Sequence, residues 1–358
     1  MKVGIITFHN AINYGAVLQT YATQTIVQEY GHDVEVIDYH NKKIDRLYSL
    51  GIRNFIKKRC YLMPISWLRN YFFYKRKKSF KVFLREQLNI SSERYYQGKK
   101  NYIGKYDIIL IGSDQLWNKK ITGGLDNVYW GEFETSPKMK KIAWSICMNN
   151  DNLTQEDIKY IIEHLNLFTA ISVREKSLQK FLYSITCNKY IQTLDPTLML
   201  QREQWENLCQ PVSEHNYIAV YAVQDEEATI SFAREVAKQL NKKILIIRSK
   251  ANYYWTKENK EYCGPREFLS YIRYADFVVT TSFHGTVFSL VFQKQFVCPK
   301  FRSNTRIESL LNTLDVKHRV IEAGIEVRTL PAIDYSEVSN RLLIARQNTK
   351  QFIKQFLA

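Results

Sequence analysis

Short apolar runs alternating with helix-spaced segments, twice over, most narrow what this 358-residue chain can become. The run KVGIITF leads through HNAINYG into AVLQTYATQTIVQEYG, whose apolar residues recur at helical spacing. Gly31 ends that helix, and DVEVIDY follows as a second strand. A strand–helix–strand opening implies a parallel sheet with right-handed crossovers. YDIILIG (106–112), KKIAWSIC (140–147) and FTAISV (168–173) are short and apolar throughout, like strands buried on both faces. A second series begins after LDPTLMLQREQW. It runs through YIAVYAV (217–223), a helix over EEATISFAREVAKQLN, KKILIIRS (242–249), a helix over PREFLSYIRYA and the strand DFVVTT. A His-Gly helix, the strand QFVCP and a helix over TRIESLLNTL complete it. The predicted class is α/β, two doubly wound Rossmann-like domains with a cleft between them. We place the domains at 1–200 and 201–330, and read 331–358 as a C-terminal helix across their junction.

The composition is that of a globular protein, 45% apolar and 24% charged. No run reaches the roughly 18–20 apolar residues of a membrane span, and MKVGIITFHN does not read as a signal peptide. Six cysteines (Cys60, Cys147, Cys187, Cys209, Cys263, Cys298) are scattered with no CxxC, which fits reduced thiols in a cytosolic protein. The formal charge of +16 is local. Residues 53–85 hold eleven Lys or Arg and no acid, and the rest of the chain carries +5. Nine aromatics interleave them: Phe55, Tyr61, Trp67, Tyr71, Phe72, Phe73, Tyr74, Phe80 and Phe83. Such an insertion (53–86) suits an anionic bilayer surface, where rings bury and cations meet phosphates. Single-stranded nucleic acid is the rival partner, and a solvated helix packing its aromatics on the domain is the plain alternative.

In open α/β sheets, ligands gather at the carboxyl ends of strands, where helix N-termini point. Four polar clusters fall there: His9, Asn10 and Asn13-Tyr14-Gly15; Gly112-Ser113-Asp114-Gln115; Arg174-Glu175; and His284-Gly285-Thr286. His284 either fills its loop or handles an anion and a proton near neutral pH, with Gly285 clearing space for a ligand beside it. Arg174 either pairs with Glu175 or Asp195 or forks onto a carboxylate or phosphate. Asp114 either closes a turn or acts as a base. Asp195-Pro196 marks the crossover between domains. No His/Cys/Asp cluster has metal-ligand spacing, so no metal is expected.

The motifs NYGAVLQTYA, DIILIGSDQLWN, ISVREKSL, LDPTLML, VVTTSFHGTVFSLVF and NTRIESLL, in this order, resemble the polysaccharide pyruvyl transferase family over roughly residues 3–315. One departure is visible: where the family often has an AASFG-like run, this chain has Ser145-Ile146-Cys147-Met148-Asn149. The resemblance implies a GT-B-like fold and a transferase that uses phosphoenolpyruvate as donor substrate, without a cofactor, to build a pyruvate ketal on two sugar hydroxyls. It implies that the second domain is the donor side, with the family's His-Gly motif on His284 and Gly285 and its basic residue on Arg174; His284 is the candidate general acid, and Arg174, His284, Gly285, Thr286 and Arg306 are the donor-binding candidates. Asp114 is the candidate base. The first domain becomes the acceptor side, with His9, Asn10, Asn13, Tyr14 and Gln115 against the sugar. The acceptor is expected to be a polyprenyl-linked capsule, exopolysaccharide or wall glycan of a bacterium. The enzyme is expected to sit peripherally on the cytoplasmic face of the membrane, with no nucleic acid partner. A nucleotide-sugar glycosyltransferase on the same fold and a non-catalytic glycan- or nucleic-acid-binding module are the alternatives.

Overall fold

A computed structural model describes residues 1–48, 63–249, 258–260, 262–302, 304–322 and 324–358, with side chains from residue 71 onward in the helix that begins at Met63. Part of the basic stretch, residues 53–62, lies outside the described residues. The chain divides into two units: 1–49 with 84–200 and 343–358, and 50–83 with 201–342.

Unit 1 opens with β1 (Lys2–Ile6), α1 (Tyr14–Glu29), β2 (Asp33–His40) and α2 (Lys42–Tyr48). Helix α3 (Met63–Gln87) belongs mostly to unit 2 and ends in unit 1. Then come β3 (Ile90–Tyr96), β4 (Ile108–Asp114), α4 (Lys119–Thr122), β5 (Lys140–Ile146), α5 (Gln155–Leu165), β6 (Ala170–Val173), α6 (Lys176–Thr186) and β7 (Ile191–Gln192). The sheet order is β3-β2-β1-β4-β5-β6-β7, every pairing parallel. Chain direction across the sheet reverses between β1 and β4, the topological switch point where ligands collect in such sheets. The central strands are apolar and buried because helices cover both faces. Beside the sheet, Trp117 stacks on Trp130 with ring centroids 4.1 Å apart.

Unit 2 runs α7 (Arg202–Glu206), β8 (Tyr217–Ala222), α8 (Glu226–Leu240), β9 (Lys243–Arg248), β10 (Asn259–Lys260), α9 (Pro265–Arg273), β11 (Phe277–Thr280), α10 (Phe283–Val291), β12 (Phe296–Pro299), α11 (Thr305–Thr313) and β13 (Val320–Ile321). Its parallel order is β10-β9-β8-β11-β12-β13, with the switch between β8 and β11.

Two helices carry the chain from one unit to the other. In α3, Phe72, Phe80 and Phe83 are buried and Tyr71 and Tyr74 are exposed. Phe72 stacks on Tyr262, and the buried Arg76 donates to the carbonyl of Arg248 at 2.8 Å. The outward side carries Lys75, Lys78, Lys81 and Arg85. The phenylalanines described here thus pack on the domain, and the exposed face is made of lysine and tyrosine. Helix α12 (Tyr335–Leu357) ends in unit 1, where Arg346 donates to the carbonyls of Leu198 (2.6 Å) and Leu200 (2.7 Å). Thr349 accepts from the Leu194 N–H at 3.0 Å, and the Leu357 carbonyl lies 2.6 Å from His32 Nε2.

Candidate functional site

The sequence candidates fall on the carboxyl edges of both sheets. On unit 1 the edge is a closed polar lattice. Arg174, at the end of β6, is buried and ion-paired to the buried Asp195, and its Nε lies 3.0 Å from Cys147 Sγ. The second carboxylate oxygen of Asp195 accepts from Thr197 Oγ1 at 2.5 Å and Thr197 N at 3.0 Å. Ser113 Oγ stands 3.1 Å from Asp195 Oδ2 and 3.0 Å from the Ser145 carbonyl. Burial alone would lower the guanidinium pKa, but the fields of Cys147, Asp195, Asp114 and Glu175 outweigh it and raise it. Arg174 pairs with Asp195 in the interior and not on the surface. The Ser145–Asn149 run is part of this lattice through Cys147.

Asp114 has a positive φ of 75° and accepts from the Gln115 N–H at 2.8 Å, the geometry of a tight turn at the end of β4. Gln115 Oε1 in turn accepts from Asn118 at 2.8 Å. Asn13 caps α1, accepting from Ala16 N at 3.3 Å, and Tyr14 is wholly buried. His9 is buried as well, its Nε2 3.0 Å from Asp38 Oδ1, while Asn10 reaches His40 Nδ1 (3.3 Å) and Asp45 Oδ1 (3.2 Å).

Asp38, His40 and Asp45 were not among the sequence candidates, although DYHNKKID places all three within eight residues at the end of a predicted strand. Asp38 is also held by Arg94 Nε at 2.8 Å and stands 3.0 Å from His40 Nε2. Burial would raise the Asp38 carboxyl pKa, but hydrogen bonds with His40, His9 and Arg94 hold it far below the usual carboxylate range. Asp38, followed by Asp45, raises the pKa of His40 against burial.

On unit 2 the edge gathers helix starts, with Lys300 and Arg302 beside Asp225 and Glu308. Helices α8, α10 and α11 start there, with Asp225, Ser282 and Asn304 at their N-caps. A small cavity of about 30 Å³ lies among Gln224, Asp225, Thr281, Lys300, Arg302 and Asn304. Arg302 Nη2 pairs with Asp225 Oδ1 at 2.7 Å, and Arg306 follows on the first turn of α11. Lys300 and Arg302 were missed in the sequence, where PKFRSN looks like an ordinary basic loop. His284 is the second residue of α10, buried, with its ring edge-on to Phe283 at 5.2 Å. Thr286 is buried and turned inward, donating to the Ser282 carbonyl at 3.0 Å beside Cys298 Sγ at 3.3 Å. Burial pushes that thiol up to about 12.

Gly285 works differently from the sequence expectation. A Cβ there would sit 2.2 Å from Thr280 Oγ1 and 3.2 Å from Tyr221 Cδ1. The glycine lets α10 close on β11 and β8, so the space it clears faces the protein's own strands.

The family model for polysaccharide pyruvyl transferase matches residues 13–298, which include Asp114, Arg174 and His284. The chain belongs to the polysaccharide pyruvyl transferase family. It is therefore a member of a transferase family concerned with polysaccharide. No curated protein matches this pyruvyl transferase family member significantly. Among solved structures it is similar to the UDP-GlcNAc 2-epimerase of Methanocaldococcus jannaschii, at 12% identity and TM-score 0.51, covering 100% of each chain. It is also similar to the glycosyltransferase SnogD of Streptomyces nogalater, at 9% identity and TM-score 0.43, covering 98% of this chain and 95% of the other. The first likeness bears on fold alone and agrees with the GT-B-like expectation of two parallel-sheet α/β domains. Arg174 and Asp114 lie in unit 1 of this pyruvyl transferase family member, His284 and Arg306 in unit 2.

Proposed function

We propose that the protein transfers the enolpyruvyl group of phosphoenolpyruvate to two hydroxyls of one sugar, forming a pyruvate ketal and releasing phosphate. The feature that supports this reading is the unit 2 edge, where three helices start, His284 sits in the first turn of one of them, and Lys300 and Arg302 border a small cavity. Fixed positive ends and cations favour a ligand with phosphate and carboxylate groups. His284 gives a proton to the donor's methylene carbon, which becomes the methyl, and C2 becomes cationic. One sugar hydroxyl adds to C2, the C2–O bond to phosphate breaks, and the second hydroxyl closes the ring. Of the two hydroxyl protons released, one restores His284 and the other leaves with phosphate. Asp114 is assigned to accept a hydroxyl proton first. Arg174, engaged by Asp195 and Cys147, is assigned to shape the acceptor edge's field, and the donor's anionic groups fall to the unit 2 cations. No metal or cofactor enters these steps.

The acceptor we infer is a polyprenyl-linked sugar of a bacterial capsule, exopolysaccharide or wall glycan, reached at the cytoplasmic membrane face. No helix among the described residues is long and apolar enough to cross a membrane. The outward lysines of α3 supply the contact with anionic lipid. Sedimentation with phosphatidylglycerol vesicles at low salt, lost on Lys75, Lys78 and Lys81→Gln, is the expected result. Indifference of the wild type to these vesicles removes the membrane from the account.

Calorimetric titration tests the donor. Phosphoenolpyruvate should bind saturably and Arg302→Ala should weaken it, while UDP-sugars should give no heat of binding. Binding of a UDP-sugar in place of phosphoenolpyruvate makes the protein a glycosyltransferase and ends the ketal reading.

A further inference from the structure

On unit 1, three segments distant in sequence meet beside the β1–β2 edge. The loop after β1 brings Asn10, the first turn of α2 brings Asp45, and the end of β3 brings Tyr96. Asp45 Oδ2 is 2.9 Å from His40 Nδ1, and Asp45 Oδ1 is 3.2 Å from Asn10 Nδ2. His40 is steadied from behind by Asp38, which is tied to His9 and Arg94. Side-chain exposure rises along this line, from 1% at His9 through 15% at Asp38 and 19% at His40 to 41% at Asp45. A carboxylate is thus held in one orientation by a buried support and presented outward with an amide beside it. The His40 ring also stacks on Tyr96 at 5.4 Å and 27°, and Tyr96 remains 39% exposed.

Directly after Tyr96 begins a cavity of about 500 Å³, within the size range of small-ligand pockets. Lys99 borders it and also stands 5.3 Å from the centroid of the Tyr96 ring, so ring and cavity are contiguous. Phe133 adds an aromatic wall. The charges around the cavity are balanced: Lys99, Lys100 and Lys141 face Asp126, Glu132 and Glu134, with Lys100 and Glu134 paired at 2.7 Å. Balanced charge disfavours a polyanion. A carboxylate and an amide set beside an exposed ring suit a sugar, whose hydroxyls both donate and accept and whose C–H faces are apolar.

We propose that the β1–β2 edge is a sugar subsite, where Asp45 and Asn10 hold hydroxyls, Tyr96 carries the ring face, and the glycan continues into the cavity past Lys99. This deepens the proposed function, since it names where the acceptor chain lies. Asp38 and His40 act here as positioning residues for Asp45.

Saturation-transfer NMR with lactose, maltose, cellobiose and chitobiose tests the subsite, alongside calorimetry with phosphoenolpyruvate. The wild type should transfer saturation to at least one disaccharide. Tyr96→Ala and Asp45→Asn should reduce that signal at least about fivefold, Tyr96→Phe should retain it, and all three should bind phosphoenolpyruvate as the wild type does. Retention by Tyr96→Phe separates a lost subsite from a misfolded unit 1, and unchanged phosphoenolpyruvate binding shows that the donor edge on unit 2 is intact. No transfer to any disaccharide from the wild type, or equal transfer from the wild type, Tyr96→Ala and Asp45→Asn, overturns the proposal. Sugar binding that depends on Tyr96 without any phosphoenolpyruvate binding would leave the subsite standing and sink the donor assignment.

Discussion

On unit 1 the carboxyl edge answers each charge with its opposite. Arg174 meets Asp195, and Asp38 lies among His9, His40 and Arg94. On unit 2 the same position in an equivalent sheet gathers three helix starts around a small cavity, with Lys300 and the Arg302–Asp225 pair at its rim. Helix starts leave backbone N–H groups that an anion can complete, whereas a neutralised lattice is complete by itself. One edge is built to be filled and the other to be rigid. The proposed donor, an anion, and the proposed acceptor, a neutral sugar, would make those two different demands.

The largest effect should come from the filled edge. His284→Ala is expected to lower ketal formation by ~10² to 10⁴-fold, the usual contribution of a general acid. A rate within a few-fold of wild type, measured as phosphate release with acceptor present, removes His284 from the chemistry. Next comes the rigid edge. Asp195→Ala strands the Arg174 guanidinium in the interior and should cost about 3–5 kcal/mol of stability by chemical denaturation. Asp225→Ala, which breaks the solvent-facing pair with Arg302, should change stability by less than ~1 kcal/mol. Equal losses in the two variants would erase the distinction between the edges.

Gly285→Ala should cost about 1–3 kcal/mol by forcing α10 off Thr280. Thermal unfolding unchanged by that substitution would return the glycine to its expected place beside a ligand. The smallest effect is one of pH. The folded pKa of His40 is raised above its unfolded value of about 6.5, so its contribution is whole below that pH and is lost as pH climbs through the folded value. Stability measured from pH 6 to 9 should therefore decline, and His40→Gln should flatten the decline. An unaltered slope would separate His40 from the Asp38 lattice.

The strands in the middle of each sheet were legible in the sequence because burial on both faces leaves a continuous apolar run. The four unforeseen strands, β3, β7, β10 and β13, are the two edges of each sheet. Edge strands are short or polar, with one side unpaired, so no such run marks them. His284 and Arg174 were visible because each follows a strand, but what surrounds them was not. The nearness of Thr280 to Gly285 depends on how α10 docks, and the depth of Arg174 depends on a carboxylate 21 positions away. Asp45, Asn10 and Tyr96 carry no shared spacing because three separate segments deliver them.

The return of the chain at α12 makes the two units depend unequally on its last residues. Unit 2 is made of segments 50–83 and 201–342, so it can close without segment 343–358. Unit 1 needs Arg346 to meet the carbonyls of Leu198 and Leu200 and Thr349 to receive the Leu194 N–H. Unit 1 is thus closed by the far end of the chain, and removal of segment 343–358 should leave unit 2 folded while unit 1 opens.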